Sequence, residues 1–257
     1  MNAVLVTGAT GFLGKALVPE LLKSGCRVIC LARNPKNVQD VPWFDRVNWM
    51  TWELMDSFNL DIPTGCGLIH LAWQGLPNYD APFHVEENFP ASLRFLRGFI
   101  EAGGRQVLVA GTCLEYGMQD GALAAETSTV PTIAYAIAKN TLHTELMTLA
   151  RNSSFTLQWT RLFYLFGQGQ SPNSLLPQLD RAIDSGDLSF PMSGGEQLRD
   201  FLSVSNAARQ IRCLYNSKSA GVFNICSGDP ISVRHFVEGH VSRRQSAIKL
   251  NLGHYPY

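Results

Sequence analysis

Short, continuous apolar runs that alternate with helical patterns constrain the fold of this chain more than any other feature of its sequence. The runs at 3–8 (AVLVTG), 27–33 (RVICLAR) and 106–112 (QVLVAGT) are rich in β-branched and aliphatic residues. Between such runs, the stretches 12–25 and 134–150 place leucines at helical spacing. Continuous hydrophobicity suits strands that helices cover on both faces, so the sequence predicts an α/β fold with a doubly wound parallel sheet of the Rossmann kind.

Three glycines occupy the predicted turn between the first strand and the first helix. They are Gly8, Gly11 and Gly14 in VTGATGFLGKAL, and their spacing is GxxGxxG rather than the more usual GxGxxG. Glycine permits a tight turn and a close approach to a pyrophosphate, while the amino terminus of the helix supplies free N–H donors. The turn therefore predicts dinucleotide binding, with an empty structural turn as the alternative.

The end of the second predicted strand bears on the choice of cofactor. An acidic residue about 20 positions after the glycine turn would suit the ribose hydroxyls of NAD. Here the strand instead ends in Leu31, Ala32, Arg33 and Asn34. The planar guanidinium of Arg33 is suited to a ribose 2′-phosphate. We therefore predict NADP as the cofactor, with NAD as the alternative. The alternative for Arg33 itself is a solvated surface arginine.

A tyrosine and a lysine lie four residues apart in the helical pattern at 134–150. Tyr135 and Lys139 therefore share one face of the predicted helix. A phenol is a poor acid at neutral pH, and a nearby cation is expected to lower its pKa. Such a phenol can protonate a ketone oxygen while reduced nicotinamide delivers hydride to the carbon. Thr112, at the end of a predicted strand, is placed to hydrogen-bond the same substrate oxygen.

The residue composition of the chain changes after about residue 166. Gly, Pro and Ser become frequent there around one short helical piece, and later runs again resemble core elements. The sequence predicts a dinucleotide-binding domain at 1–165, to which the chain returns around 200–227. It predicts a smaller, C-terminal substrate-binding part at 166–257.

Composition disfavours several other classes of protein. Lys plus Arg equals Asp plus Glu at 21 each, so no global charge attracts nucleic acid or an anionic membrane. The chain has no signal-peptide pattern and no apolar run near the roughly 20 residues that cross a bilayer, so we expect a soluble, cytoplasmic protein. The six cysteines form no CxxC pair or histidine cluster. We therefore predict no metal site and no disulfide framework, and expect five of the six cysteines to be buried.

The order and spacing of these motifs resemble the extended short-chain dehydrogenase/reductase family, in particular its nucleotide-sugar epimerase, dehydratase and reductase branch. The resemblance runs nearly from end to end. It rests on TGATGFLG (7–14), HLAW (70–73), GTCLEYG (111–117), YAIAK (135–139), RLFYLFGQGQ (161–170), LRDFLSV (198–204) and FNICSG (223–228). It also implies a homodimer that forms through the helices carrying Asn88 and Tyr135.

The resemblance implies functions for individual residues. Thr112, Tyr135 and Lys139 would be the catalytic hydroxyl, the acid/base and its cationic partner, and Lys139 would also grip the nicotinamide ribose. The implied cofactor-binding residues are Gly8, Gly11, Phe12, Leu13, Gly14, Arg33, Glu53, Leu54, Leu71, Ala72, Trp73, Asn88, Tyr135, Lys139 and Phe163. The implied substrate-binding residues are Trp73, Leu114, Tyr164, Asn173, Ser174, Leu175 and Arg199, of which Arg199 would hold the diphosphate.

One departure from the family pattern narrows the reaction. In the family's 4,6-dehydratases Asp and Glu follow the catalytic threonine, whereas this chain has Cys113 and Leu114, which disfavours dehydration. We therefore predict an NAD(P)-dependent oxidoreductase that reduces the 4-keto group of a nucleoside-diphosphate (6-deoxy)hexose, with Tyr135 as proton donor. The alternatives are an NAD-dependent nucleotide-sugar 4-epimerase and a non-catalytic NAD(P)-binding module.

Overall fold

The computed structural model describes residues 3–256, except for the side chain of Asn37. Thirteen strands and six α-helices lie in this part of the chain. The strands are β1 (Ala3–Thr7), β2 (Arg27–Ala32), β3 (Asn48–Thr51), β4 (Gly67–His70), β5 (Gln106–Thr112), β6 (Thr156–Leu162), β7 (Tyr164–Phe166), β8 (Ser189–Pro191), β9 (Leu198–Arg199), β10 (Phe201–Ser203), β11 (Gly221–Ile225), β12 (Ile231–Ser232) and β13 (Lys249–Asn251). The helices are α1 (Phe12–Lys23), α2 (Phe89–Glu101), α3 (Ala134–Asn152), α4 (Leu175–Asp184), α5 (Val204–Ser217) and α6 (Val233–Arg243). None of the helices in this part of the chain is long and apolar enough to cross a bilayer.

The chain divides into two compact units. The first unit comprises the residues up to Phe163 together with Ser205–Ile225. The second unit comprises Tyr164–Val204 and the residues from Cys226 onward. The functions predicted for the two parts of the chain stay predictions.

The first unit is built on a seven-stranded parallel sheet. Its strand order is β11-β6-β5-β4-β1-β2-β3. The chain runs from β1 outward to β3, then crosses back to β4 and continues outward through β5, β6 and β11, so the order reverses between β1 and β4. At this switch point the last residues of the two strands, Thr7 and His70, are paired neighbours. The predicted α/β fold of the Rossmann kind is confirmed, and its ligand crevice is expected at the carboxyl ends of the strands.

Burial explains why these strands read as continuous apolar runs. All five residues of β1 and all four of β4 are buried. In a parallel sheet covered by helices both faces of a strand are inaccessible to water, so no polar alternation is left in the sequence. The main core joins Leu5 and Leu68 of the sheet to Phe95 on α2, Leu142 on α3 and Trp159 on β6. This core fixes the strand ends that carry the candidate site.

The expectation that five of the six cysteines are buried is wrong. Only two of them, Cys30 on β2 and Cys66 just before β4, are buried among the sheet residues. The other four are half-buried or exposed: Cys26, Cys113, Cys213 and Cys226. Cys26 precedes β2, Cys113 follows β5, Cys213 lies on α5 and Cys226 follows β11, so none of the four lies inside a strand.

The second unit is smaller and has its own apolar cluster. Its strands form three two-stranded pairs, β7 with β10, β9 with β12 and β8 with β13. Leu179 of α4, Phe190 of β8 and Phe236 of α6 meet in the cluster. The ring of Phe236 stacks on that of Phe201 with a centroid distance of 3.8 Å. This packing orders β9 and β10, which carry the predicted diphosphate-binding segment.

Candidate active site

The glycine turn is packed too tightly for side chains at two of its three glycines. Gly8 follows β1 with a φ of +69°, and a Cβ there would lie 2.9 Å from the backbone nitrogen of Ala72. A Cβ on Gly14 would lie 2.2 Å from the carbonyl oxygen of Gly8. The turn closes through a 3.0 Å hydrogen bond that the Gly11 N–H donates to the same carbonyl oxygen. Because glycine has no side chain, the backbone of the turn is uncovered at the switch point of the sheet.

The amino terminus of α1 fits the pyrophosphate of a dinucleotide. The helix begins at Phe12, and its cap residue Gly11 offers no side-chain acceptor to the first N–H groups. The first turn, which includes Leu13, contains no acidic residue. Uncapped N–H groups and the helix dipole favour an anion at this position. The residues present thus fit NAD or NADP, whose nicotinamide supplies the hydride acceptor or donor when the cofactor is bound.

A buried histidine holds the segment after β4 against this turn. The Thr7 hydroxyl accepts hydrogen bonds from the N–H groups of Leu71 and Ala72, at 3.1 and 3.2 Å. Its own hydrogen is thereby left to donate to Nδ1 of His70, 2.9 Å away. Burial lowers the pKa of His70 to about 3, so the ring is neutral and can accept. The predicted cofactor residues Leu71 and Ala72 are fixed beside the glycine turn in this way.

Two of the predicted cofactor-binding residues, Arg33 and Glu53, are exposed. Arg33 follows β2 and Glu53 follows β3, and Arg33 Nη1 lies 3.9 Å from Glu53 Oε1. The Gln74 amide also donates to Glu53 Oε1, at 3.4 Å. Leu54 is buried in the main core. A pair this long and this exposed is loosely held, so both groups are accessible to a ligand.

Tyr135 and Lys139 are both buried on α3. The Tyr135 N–H donates to the carbonyl oxygen of Tyr79 at 2.9 Å, which anchors the first turn of the helix. The Lys139 ammonium donates to the carbonyl oxygen of Ala110 on β5 at 2.7 Å. The same nitrogen lies 3.8 Å from the centroid of the Trp73 ring and 6.0 Å from that of Tyr135. Lys139 is thus held between β5, Trp73 and the tyrosine.

The expectation that Lys139 lowers the pKa of Tyr135 is wrong. Burial raises the pKa of Tyr135, and a side-chain hydrogen bond with Thr112 opposes that rise only in part. Burial also lowers the pKa of Lys139 to about 7, because its ammonium has lost most of its hydration. Because burial raises the pKa of Tyr135, the phenol stays protonated at neutral pH, and that is the form a proton donor needs.

Thr112 completes the group that sequence analysis predicted. It is the last residue of β5, and a short turn at Cys113–Tyr116 follows it. Its hydroxyl accepts the Leu114 N–H at 3.2 Å, and its side chain opposes the rise in the pKa of Tyr135. Thr112, Tyr135 and Lys139 therefore lie together at the carboxyl edge of the sheet. Their catalytic functions stay predictions.

Asn88 lies in a π-helical turn just before α2 and is buried. Its amide donates to the carbonyl oxygen of Gln74 at 2.9 Å, and its Oδ1 has no partner within residues 3–256. In the same turn, Nδ1 of His84 accepts the indole N–H of Trp73 at 3.0 Å. The turn therefore fixes the Trp73 ring under Lys139 and leaves one buried acceptor at Asn88.

Two of the predicted substrate-binding residues meet in the second unit. The Arg199 guanidinium carbon lies 5.4 Å from the centroid of the Tyr164 ring. Arg199 also donates to Oε1 of Gln197 at 2.7 Å. Exposed Asn173 and the cap residue Ser174 precede α4, whose first residue is Leu175.

In the first unit, Phe163 lies directly after β6 and donates its N–H to the carbonyl oxygen of Ile225 at 3.1 Å.

Sequence analysis missed one buried pair beside Thr112. Glu115 and Arg161 form an ion pair with 2.9 Å between Nε and Oε2, and both side chains are buried. The sequence carries one signal for Glu115, because Thr112-Cys-Leu-Glu115 is a capping-box pattern. It carries none for Arg161, which lies 46 residues further along the chain and meets Glu115 only in the folded sheet.

Comparisons with known proteins agree with this fold. The family model for the NAD dependent epimerase/dehydratase family matches residues 4–226. The dTDP-6-deoxy-L-talose 4-dehydrogenase (NAD(+)) of Aggregatibacter actinomycetemcomitans is 31% identical over 98% of this chain and 94% of its own length. The dTDP-4-dehydro-6-deoxyglucose reductase of Escherichia coli is 24% identical over 92% of this chain and 80% of its own length.

A solved structure of MoeE5 with UDP-glucuronic acid and NAD is similar to the whole fold. It superposes with a TM-score of 0.79 at 28% identity, over 98% of this chain and 85% of MoeE5. The family match covers most of the chain, and the first relative is similar along nearly its full length. This protein therefore belongs to the NAD dependent epimerase/dehydratase family and is an enzyme of the extended short-chain dehydrogenase/reductase type.

Proposed function

We propose that this enzyme interconverts the 4-keto and 4-hydroxyl forms of a nucleoside-diphosphate 6-deoxyhexose, with NAD(H) as redox partner. The observation that carries the proposal is the 31% identity to a dTDP-6-deoxy-L-talose 4-dehydrogenase along almost the whole of both chains. The more distant similarity to a dTDP-4-dehydro-6-deoxyglucose reductase points to the same carbon of the same class of sugar. We take the nucleotide to be dTDP for the first test, on the strength of these two relatives.

The site residues support an acid that works with a hydride donor. In reduction, a bound nicotinamide cofactor would supply hydride for C4 of the sugar, and the Tyr135 phenol would give its proton to O4. The raised pKa of buried Tyr135 keeps that proton in place until charge develops on O4. Thr112 accepts the Leu114 N–H with its hydroxyl oxygen, so its own hydrogen is free to be donated within the site. In its ammonium form Lys139 lies 6.0 Å from the centroid of the Tyr135 ring, where its charge acts against the burial that disfavours the phenolate left after proton transfer.

The carboxylates near Thr112 favour redox chemistry over loss of water. Glu115 is the acid next to the site in sequence, but both of its oxygens accept hydrogen bonds from buried donors. A carboxylate committed in this way is a poor acid or base for elimination at C5 and C6 of a hexose. Cys113 and Leu114 contribute no carboxyl group. This supports the prediction that the enzyme does not dehydrate its substrate.

We propose NAD(H) rather than NADP(H) as the working cofactor, in keeping with the NAD named in the talose dehydrogenase relative. Our prediction of NADP depended on Arg33 alone. Glu53 lies within 3.9 Å of Arg33 and partly neutralises it, so a 2′-phosphate would meet an acid beside its cation. The same carboxylate is available to accept a hydrogen bond from a ribose hydroxyl.

The proposal is tested by assaying the purified enzyme in both directions. We expect NADH oxidation, followed by absorbance, when a dTDP-4-keto-6-deoxyhexose is added, and NAD⁺ reduction with the matching dTDP-6-deoxyhexose. Tyr135→Phe is the matched variant, because it removes only the hydroxyl and is expected to keep cofactor binding. Conversion of one sugar nucleotide into its 4-epimer with no net change in NADH would contradict the proposal and favour the epimerase alternative.

The predicted homodimer is a separate proposal. By resemblance, α2 and α3 would form its interface. Light scattering at several protein concentrations would give the mass in solution, and a mass equal to that of one chain throughout would contradict it.

A further inference from the structure

Glu115 is a carboxylate with no access to solvent. Its side chain is 0% exposed, and that of its partner Arg161 is 4% exposed. Oε1 accepts the backbone N–H of Thr112 at 2.8 Å, and Oε2 accepts Nε–H of Arg161 at 2.9 Å. Both oxygens also lie within hydrogen-bond distance of the Trp159 indole nitrogen, at 3.1 and 3.0 Å. Every one of these partners is an N–H donor, so the surroundings match the ionised form of the carboxyl group.

The fold makes room for this carboxylate at the end of β5. A Cβ on Gly111 would lie 2.5 Å from Glu115 Oε1 and 2.4 Å from the Trp159 indole nitrogen. Only glycine lets strand β5 pass this close to both groups. Arg161 is fixed at its far end as well, because Nη1 donates to the carbonyl oxygen of Ala125 at 3.0 Å. The carboxylate therefore has little freedom to move.

The hydrogen bond that the Thr112 N–H donates to Glu115 fixes the backbone beside the reacting groups. Glu115 holds the backbone of Thr112, while the Thr112 hydroxyl accepts the Leu114 N–H at 3.2 Å. Thr112 and Glu115 form a reciprocal capping box, in which the side chain of each accepts the backbone N–H of the other. Contacts thus lead from Arg161 through Glu115 to Thr112, whose side chain opposes the rise in the pKa of Tyr135.

Stability alone is a weak reason to keep such a pair. Replacing a buried ion pair by apolar residues of similar volume is often neutral or stabilising, because two desolvated charges cost about as much as their attraction returns. A turn of four residues after a strand can also be capped without a buried guanidinium. Because one oxygen of this charged pair accepts the Thr112 N–H, the pair points to a function in the reaction.

We propose that Glu115, held by Arg161, is a positioning residue that fixes the Thr112 hydroxyl against Tyr135 for proton transfer. The inference rests on the proposed function for its kinetic test. Glu115 does not touch the substrate, since its oxygens are occupied by protein donors. The pair therefore acts on catalysis only through the geometry of Thr112.

The kinetic test compares Glu115→Gln with a control on the neighbouring strand. A glutamine cannot accept from Thr112 and Arg161 at once, because one of its two terminal atoms is a donor. We expect kcat to fall about 10- to 100-fold, as for small misplacements of reacting groups, while KM for NADH and for the sugar nucleotide stays within about threefold. The control is Gln158→Leu, which removes a buried amide bonded to the carbonyl oxygens of Leu214 and Ser219. It is expected to lower thermal stability and leave kcat within about twofold.

Two results would overturn the inference. One is a Glu115→Gln enzyme whose melting temperature falls as in Gln158→Leu but whose kcat is unchanged within twofold. The other is a crystal structure of Glu115→Asp in which the Thr112 hydroxyl still contacts the Tyr135 oxygen. Aspartate keeps the charge but is one methylene too short to reach both partners, so we expect the contact to open. If Glu115→Gln does not fold, Arg161→Lys provides the same kinetic comparison with a cation retained.

The crystal structure also separates this inference from the proposed function. If the wild-type enzyme turns over no 4-keto-6-deoxy sugar nucleotide, the proposed substrate is wrong. The position of the Thr112 hydroxyl in Glu115→Asp then decides the positioning function without any substrate.

Discussion

Two places at the carboxyl edge of the same sheet differ in whether their charged side chains are buried or exposed. At the end of β5, Glu115 and Lys139 are 0% and 1% exposed, and each has short, directed hydrogen bonds. At the ends of β2 and β3, the side chains of Arg33 and Glu53 are 71% and 47% exposed and lie 3.9 Å apart. We call these places the buried end and the exposed end.

The difference teaches where each property of the enzyme is fixed. Buried charges must be matched by donors and acceptors, and losing one partner leaves the other unsatisfied at a cost of several kcal/mol. Exposed pairs contribute about 0–1 kcal/mol because water competes for both groups. Substitutions should therefore have large effects on chemistry and stability at the buried end and small effects on cofactor choice at the exposed end.

The largest effect is expected for Tyr135→Phe at the buried end. Removing the phenolic proton donor should lower kcat about 100- to 10,000-fold, the usual contribution of a positioned acid. Cofactor affinity, measured by fluorescence titration with NADH, should change less than about threefold. Arg33→Ala, at the exposed end, is the control and should keep kcat within about threefold. Equal losses in both variants would abolish the distinction between the two ends.

Much of the buried end could be predicted from the sequence. The strand that ends in Thr112 is a continuous apolar run, and the spacing of Tyr135 and Lys139 is a local helical pattern. Both signals lie within single elements, where side-chain direction follows from backbone period. The direction of the pKa shift at Tyr135 could not be predicted in this way, because it depends on burial by residues from several elements.

The contacts between elements could not be predicted. Glu115 meets Arg161 across two strands, and Arg33 meets Glu53 because β2 pairs with β3. Strand β3 itself was missed, since its four residues are exposed or half-buried at the sheet edge and lack a continuous apolar run. Only the folded sheet brings these residues together.

The second-largest effect is expected in the free energy of unfolding, which should depend on pH through the buried end. Burial lowers the pKa of Lys139 from its ordinary value to about 7, so the unfolded chain binds more protons than the folded one between about pH 7 and pH 10. The free energy of unfolding should therefore rise with pH across this window. Lys139→Met has no such proton and should lose this rise, which is on the order of 2–4 kcal/mol.

Urea unfolding of both proteins at pH 7 and pH 9.5 would measure this difference. Lys218→Met is a suitable control, because it removes a lysine next to the carboxyl end of α5 and leaves the candidate site intact. If the free energy of unfolding rises equally in the wild-type and Lys139→Met proteins between the two pH values, Lys139 is hydrated in solution and the buried end is open to water.

A smaller effect is expected at His143, on the α3 side of the buried end. Its ring stacks on Trp159 with a centroid distance of 4.9 Å, and its Nε2 has no partner in the described part of the chain. Burial lowers the pKa of His143 to about 4. Its contribution to stability is therefore complete above the ordinary histidine pKa of about 6.5 and is lost as pH falls towards 4.

His143→Phe should keep the stacking and remove the proton. We expect the variant to lose less stability than the wild type between pH 7 and pH 4.5, by on the order of 1–2 kcal/mol. Thermal unfolding by circular dichroism at the two pH values gives the comparison. His235→Phe, at an exposed position of α6, serves as the control and should follow the wild type. An acid response of His143→Phe equal to that of the wild type would mean that His143 is not buried as a neutral ring.

The smallest effect is expected at the exposed end, in the choice between NAD and NADP. Glu53→Gln removes the acid beside Arg33 while keeping its size, so a ribose 2′-phosphate would meet an uncompensated guanidinium. We expect the ratio of kcat/KM for NADP to that for NAD to rise about two- to fivefold, the range for an exposed ion pair. Arg33→Ala should move the ratio in the other direction by a similar factor. Because both groups are hydrated, the shift should shrink when salt is raised, since mobile ions screen exposed charges.

If both variants leave the ratio unchanged at low salt, neither side chain contacts the ribose. If either changes it a hundredfold, the exposed end closes around the cofactor and the contrast with the buried end disappears on binding.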